Sequence, residues 1–391
     1  WSGKAERSVR FPEDSGLALK RIWQIQPGSV REPDVIRLGV EPACLFISRD
    51  AGERWEAVEG LLNHPHRERW QPGAGGLCLH TIITDGEPGG RATIAISAAG
   101  AYRSDDGGTT WTARNEGVRA EFLPDKHPEF GQCVHKIVHH PSNPARLFLQ
   151  NHWGLYRSDD WGDSWTDIAN GVPSDFGFAM AMHPGDADTV YIVPLESDGF
   201  RCTPEAKLRV YRTRDGGASW EALTEGLPQR NAYETVLRDA LATLAPAQVF
   251  FGTRSGKVYA SRDAGTTWRL VCEGLPPVVC VKACAPRGGL MPSGTPAGGV
   301  ARVTLPAALT ELTGGRAVVD IPGAPAAVRD ILAGLGAAHP GVRDRLVTER
   351  GRLRPHVNVF VDGENIRFLS GLDTPVADGA EVVVLPALSG G

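Results

Sequence analysis

Ser104-Asp-Asp-Gly-Gly-Thr-Thr-Trp111 decides the reading of most of the chain, because its form recurs. The other copies are Ser48-Arg-Asp-Ala-Gly-Glu-Arg-Trp55, Ser158-Asp-Asp-Trp-Gly-Asp-Ser-Trp165, Thr213-Arg-Asp-Gly-Gly-Ala-Ser-Trp220 and Ser261-Arg-Asp-Ala-Gly-Thr-Thr-Trp268. Their aspartates stand at 50, 106, 160, 215 and 263, in steps of 56, 54, 55 and 48. A near-constant period of this kind means one supersecondary unit stacked repeatedly. In each copy the Asp and the Ser or Thr can accept backbone N–H bonds within a tight turn. The Gly two residues after the Asp can take positive φ, and the closing Trp supplies a large packing surface at the start of the next strand.

Outward from each copy lie strands. Short apolar stretches precede the motif, as at Gly100–Arg103, Gly154–Arg157 and Gly256–Ala260. Further upstream are Leu19–Ile25, Cys78–Ile83, Cys133–Val138 and Phe178–Met182. Four strands per repeat with radial closure is a β-propeller. The repeated segments are Asp boxes, and residues 15 to 285 resemble the Asp-box propellers often labelled sialidase-like. That resemblance implies rim turns and a structural role for Asp50, Asp106, Asp160, Asp215 and Asp263. It also implies six or seven blades where five boxes are visible, with a first blade missing or divergent. Val278–Cys284 reads as the first strand of a further blade, with Cys280 and Cys284 in a core strand.

Residues 286–299 are rich in Gly and Pro and have no apolar periodicity. They read as a flexible tether spanning about 20 Å between the propeller (1–285) and a compact α+β unit (300–391). In that unit Ala301–Leu305 and Arg316–Ile321 flank a Gly314-Gly315 turn. Pro325 opens a helix with Val328, Ile331, Leu332 and Leu335 on one face, and His339-Pro340-Gly341 ends it. Val357–Val361 alternates as a strand, Asp362-Gly363 is a hairpin turn, and Val382–Leu385 is an unbroken apolar run suited to a central strand. This order is a β-grasp pattern. The fold class expected for the whole chain is therefore mostly β, a multi-bladed propeller followed by a β-grasp domain.

Asn358–Phe368, Gly371–Gly379, Glu381–Pro386 and the terminal Gly390-Gly391 resemble the ubiquitin-like sulfur carriers, and most closely the branch that feeds sulfur to cysteine synthesis. Two residues without Cβ thread a narrow cleft and present a terminal carboxylate. The resemblance implies that Gly391 carries the sulfur, Gly390 gives access, and Phe368, Leu385 and Pro386 face the partner. It implies three partners: a ubiquitin-activating-type adenylyltransferase, a sulfur donor or sulfurtransferase, and a sulfur-accepting synthase. ATP belongs to the activating partner, since no Walker-type phosphate loop is present here. No bound cofactor is expected.

The chain has 391 residues and a net charge of −5, which disfavours a nucleic-acid role. No run of eighteen apolar residues predicts a membrane span. Seven cysteines, an odd number without Cys-x-x-Cys spacing, predict free thiols in a reducing, cytoplasmic setting and argue against a structural zinc site.

Chemistry in the propeller is less determined. His80 and His135 hold the same place in their repeats and Trp23 is their counterpart in the blade before, so the three converge on the central channel. A metal or small ligand there is one reading; rings packed in a polar channel is the other. His64, His66 and His152 lie in connecting loops that can cover the same face. His139, His140 and His183 precede prolines or turns. Arg119, Glu121, Asp125, Tyr233, Glu234, Arg238 and Asp239 are pieces of a sialidase-like site that no spacing forces together, and the usual Phe-Arg-Ile-Pro element is absent. A sulfur carrier with a binding propeller is thus preferred to two rivals: a glycoside hydrolase with a regulatory tail, and a protein modifier joined through Gly391 to lysine.

Overall fold

The computed structural model describes residues 9–284, 300–322, 327–354, 357–362, 364–377 and 380–386. The chain divides into two compact units, the larger built from four-stranded sheets and the smaller around a five-stranded one.

Each four-stranded sheet is a meander whose strands pair in chain order. The first holds β1 (Arg21–Pro27), β2 (Ile36–Glu41), β3 (Cys44–Ser48) and β4 (Glu56–Ala57). The second holds β5 (Leu79–Thr84), β6 (Ala92–Ile96), β7 (Gly100–Ser104) and β8 (Thr112–Ala113). The third holds β9 (Val134–His140), β10 (Asn143–Asn151), β11 (Leu155–Ser158) and β12 (Thr166–Asp167). The fourth holds β13 (Gly177–Met182), β14 (Val190–Pro194), β15 (Val210–Thr213) and β16 (Glu221–Leu223). The fifth holds β17 (Leu241–Leu244), β18 (Gln248–Gly252), β19 (Val258–Ser261) and β20 (Arg269–Cys272). These are propeller blades, with the Asp box joining the third strand of each to the fourth.

Successive blades bury apolar residues against each other. Leu45, Leu79, Ile94 and Trp111 form one such cluster, Ile83, Leu147, Tyr156 and Trp165 the next, and Phe148, Met180 and Ile192 another. Every residue of β3, β6, β7 and β14 is buried, as strands covered on both faces must be. On the first blade, Val9 and Phe11 pack with Leu38, Val40 and Phe46.

All five boxes share one hydrogen-bond pattern. The Ser or Thr hydroxyl donates to Asp Oδ1 at 2.6–2.9 Å, and accepts the N–H of the glycine two residues past the Asp at 2.8 Å. The same Oδ1 accepts the N–H of the residue four past the Asp at 2.8–3.0 Å. The aspartates therefore hold turns, as the resemblance implied.

Five blades are present among the described residues. Val278–Cys284 does not begin another. It makes a single bridge, Cys280 opposite Asp239, and Cys280 and Cys284 are exposed rather than in a core strand. Val279 is also exposed, so the segment lacks the buried face that a blade strand needs.

The smaller unit holds β21 (Val300–Thr304), β22 (Val318–Pro322), β23 (Val357–Val361), β24 (Glu364–Asn365) and β25 (Glu381–Pro386), with helices α1 (Val328–Ala338) and α2 (Val342–Leu346). Sheet order is β22-β21-β25-β23-β24, with β21 and β25 parallel and the other pairs antiparallel. This is the β-grasp. Val328, Ile331, Leu332 and Leu335, the face expected from spacing, are all buried in one core with Val303, Ile321, Val359, Val382 and Val384. Asp330 caps α1 by accepting the Ala327 N–H at 3.0 Å. Pro325, Gly363 and the tether 286–299 lie outside the described residues.

Candidate functional site

The β-grasp delivers its C-terminus through β25, paired on one side with β21 and on the other with β23. Val382 and Val384 point into the core, and the period-2 alternation sends Leu385 outward, where it is 45% exposed. Gly390 and Gly391 lie outside the described residues, as do the side chains of Phe368 and Pro386.

In the propeller, Trp23 sits on β1, His80 on β5 and His135 on β9. Arg238, from the segment before β17, links the first and third blades. Its guanidinium lies 5.6 Å from the Trp23 ring, and its Nε donates to the His135 carbonyl. Trp23 Nε1 donates to Glu41 Oε2 at 3.1 Å. Beside Arg238, Lys136 Nζ pairs with Asp239 Oδ1 at 2.6 Å. Burial pulls the Lys136 pKa down while Asp239 holds it up. His80 donates Nε2–H to the Val134 carbonyl at 2.9 Å, which leaves Nδ1 facing the Thr81 hydroxyl at 3.0 Å. Burial, with Arg238 and Lys136 nearby, holds His80 well below the ordinary imidazole value. Arg238 thus touches the Trp23 ring and the His135 backbone, and its charge reaches His80.

The other candidates go elsewhere. Arg119 contacts the Tyr156 hydroxyl at 3.2 Å, Asp175 at 3.2 Å and Asp167 at 3.4 Å. Glu121 lies 4.0 Å from Arg119 and 3.9 Å from Lys126, and Tyr233 is 68% exposed. His64 and His66 both pack against Tyr102 of the second blade. His64 bonds the Trp111 carbonyl at 3.0 Å, and His66 stacks on Phe130 at 4.2 Å. His140 and His183 hold turns, accepting from the N–H of Ser142 and Gly185.

His152 does join the channel group. Its N–H donates to the Cys133 carbonyl at 3.0 Å, and its ring lies 5.3 Å from that of His135. Donor atoms of Cys133, His135 and His152 all fall within 4.8 Å of one another. Burial raises the Cys133 pKa and lowers that of His152, the latter against the pull of Asp198. The missed signal was Cys133-x-His135, since residues two apart on an extended strand share a face.

With this geometry in hand, comparison with known proteins places the smaller unit among ubiquitin-like carriers. The model of the ThiS family matches residues 303–391. The sulfur carrier protein CysO of Mycobacterium tuberculosis is 36% identical over 91 residues, covering 23% of this chain and 96% of the relative. Small archaeal modifier protein 3 of Haloferax volcanii is 41% identical over 66 residues, covering 17% of this chain and 71% of the relative. Through its last quarter, the chain belongs to the ThiS family. In the propeller, a model described as Sortilin, neurotensin receptor 3 matches residues 99–239. The crystal structure of the Niastella koreensis GH74 enzyme aligns with 64% of this chain and 38% of its own, at 15% identity and a TM-score of 0.43. Among the described residues, no helix is long and apolar enough to cross a membrane.

Proposed function

We propose that the chain is a sulfur carrier whose C-terminal glycine is activated and charged by partner enzymes, with the propeller as a binding module. The observation that carries this reading is the ThiS-family match, which runs through β25 to the last residue and accompanies a β-grasp sheet in the expected order. In the proposed cycle the Gly391 carboxylate attacks the α-phosphorus of ATP on an adenylyltransferase, and pyrophosphate leaves. A hydrosulfide equivalent from a sulfur donor then attacks the acyl carbon, and AMP leaves. The product is a thiocarboxylate, whose sulfur passes to a synthase that accepts it. The chain's own contribution is to present the carboxylate on a narrow glycine tail and to offer Leu385, with Phe368 and Pro386, as the surface that the adenylyltransferase grips. ATP is substrate of the partner and is not assigned a site on this chain.

Trapping tests the activation step. With a carrier-activating enzyme, ATP and hydroxylamine, the full chain is expected to gain a C-terminal hydroxamate, and a chain lacking Gly391 is not. Absence of hydroxamate, with pyrophosphate release no faster than in the truncated chain, contradicts the proposal.

A second reading rests on the likeness to a small archaeal modifier protein. Here the same acyl-adenylate would be taken by a lysine amine, and Gly-Gly remnants on lysines after proteolysis would separate it from sulfur transfer.

A further inference from the structure

We propose that Cys133, His135 and His152 bind one tetrahedral transition-metal ion of the zinc class in the propeller. This site is independent of the carrier tail.

The backbone already sets the donors. Cys133 immediately precedes β9 and His135 is its second residue, and His152 follows β10 with its N–H tied to the Cys133 carbonyl at 3.0 Å. Cys133 Sγ lies 3.6 Å from His135 Nε2. Zinc bonds of about 2.3 Å to sulfur and about 2.05 Å to nitrogen, at a tetrahedral angle, give an S···N edge of about 3.6 Å. That edge is therefore present without movement. The third donor, within 4.8 Å of both, needs to close by at most about 1.2 Å on the sulfur and about 1.5 Å on the nitrogen. It sits between β10 and β11, outside the strand ladders.

The tautomer of His135 is also fixed. Its Nδ1 faces the Gly177 carbonyl at 2.6 Å, and a carbonyl only accepts, so Nδ1 carries the proton and Nε2 turns its lone pair toward Cys133. A backbone carbonyl holding the far nitrogen is how ligand histidines are commonly oriented. Phe178 lies 4.5 Å and Phe176 5.5 Å from the His135 ring, while Trp153 lies 4.3 Å from His152, so the donors stand among aromatic rings. Asp198, with Oδ2 3.6 Å from His152 Nε2, adds negative charge at the outer side.

One thiolate and two imidazoles select zinc-class or softer ions over magnesium or calcium, which require oxygen donors. Binding forms one metal–sulfur and two metal–nitrogen bonds and releases the Cys133 thiol proton to water. Three protein ligands leave the fourth position to water or to a heteroatom of a propeller ligand.

The test uses the full chain, stripped with chelator and titrated with Co²⁺. The expected result is one ion per chain, a thiolate-to-cobalt charge-transfer band, tetrahedral d–d bands, and displacement by Zn²⁺. Cys133→Ser should erase the charge-transfer band and Cys78→Ser should keep it. His152→Ala, altering a residue outside the strand ladders, should weaken Co²⁺ binding at least tenfold while far-ultraviolet circular dichroism stays unchanged. If the folded full chain shows no such band, or if the band survives Cys133→Ser, the proposal is overturned.

Discussion

Ala51, Trp161 and Ala264 hold left-handed backbone, with φ of 57°, 62° and 58°, at the box position that Gly107 and Gly216 occupy in the other blades. L residues are strained there by about 1–2 kcal/mol, partly offset by the 0.5–1 kcal/mol that glycine loses in entropy. Ala51→Gly is therefore expected to raise the unfolding free energy by about 0.5–1 kcal/mol in urea titrations. The sequence pattern predicted positive φ only for the glycine two past the Asp, because Ala and Trp at the preceding position conceal the same demand. The box carboxylates carry a pH dependence. The Thr110 N–H and hydroxyl hold Asp106 at about 2 against an ordinary 3.8, and Ser219 does the same for Asp215. A depressed folded-state pKa contributes stability that is complete above about 4 and lost as pH falls through about 2. Acid unfolding monitored by tryptophan fluorescence should therefore steepen between pH 4 and 2, and less so in Asp106→Asn.

Arg103, Arg157 and Arg212 each stand one residue before a box and reach the next blade. Arg103 Nη1 donates to the Trp161 carbonyl at 3.1 Å, Arg157 Nη1 to that of Gly216 at 2.8 Å, and Arg212 Nη1 to that of Ala264. The left-handed box residue thus offers its carbonyl as an inter-blade acceptor. Ile47 and Ala260 fill the equivalent place in the first and fifth blades. Arg103→Ala removes a charged hydrogen bond and its Asp163 pair, and should cost about 2 kcal/mol. Glycine has a separate duty after the short fourth strands: a Cβ on Gly117 would stand 2.3 Å from the Trp165 carbonyl, and one on Gly226 1.9 Å from that of Trp268. In the β-grasp, Leu332→Ala opens a cavity under the sheet and should cost about 2–5 kcal/mol by chemical denaturation. Strands and α1 were legible because period 2 and period 3.6 both expose one apolar face. The short α2 was not, since Gly341 seemed to end the helical pattern and instead turns the chain, with φ of 89°, into five more helical residues.

Across the whole molecule, the repeat made the propeller legible, and equal positions in the repeat put Trp23, His80 and His135 on the first strands of their blades. Arg238 and His152 were harder to place because they come from segments between strands, where no period relates one blade to the next. All seven cysteines are free, so added reductant should leave the melting temperature unchanged. The proposed function places the chemistry at Gly391 and leaves the propeller a binding role. Intact mass tests this most directly, after incubation of the full chain with a carrier-activating enzyme, ATP and a sulfide source, beside the chain lacking Gly391. The expected result is a shift equal to one oxygen replaced by sulfur, in the full chain alone. No shift with several such enzymes, or the same shift without Gly391, would contradict it.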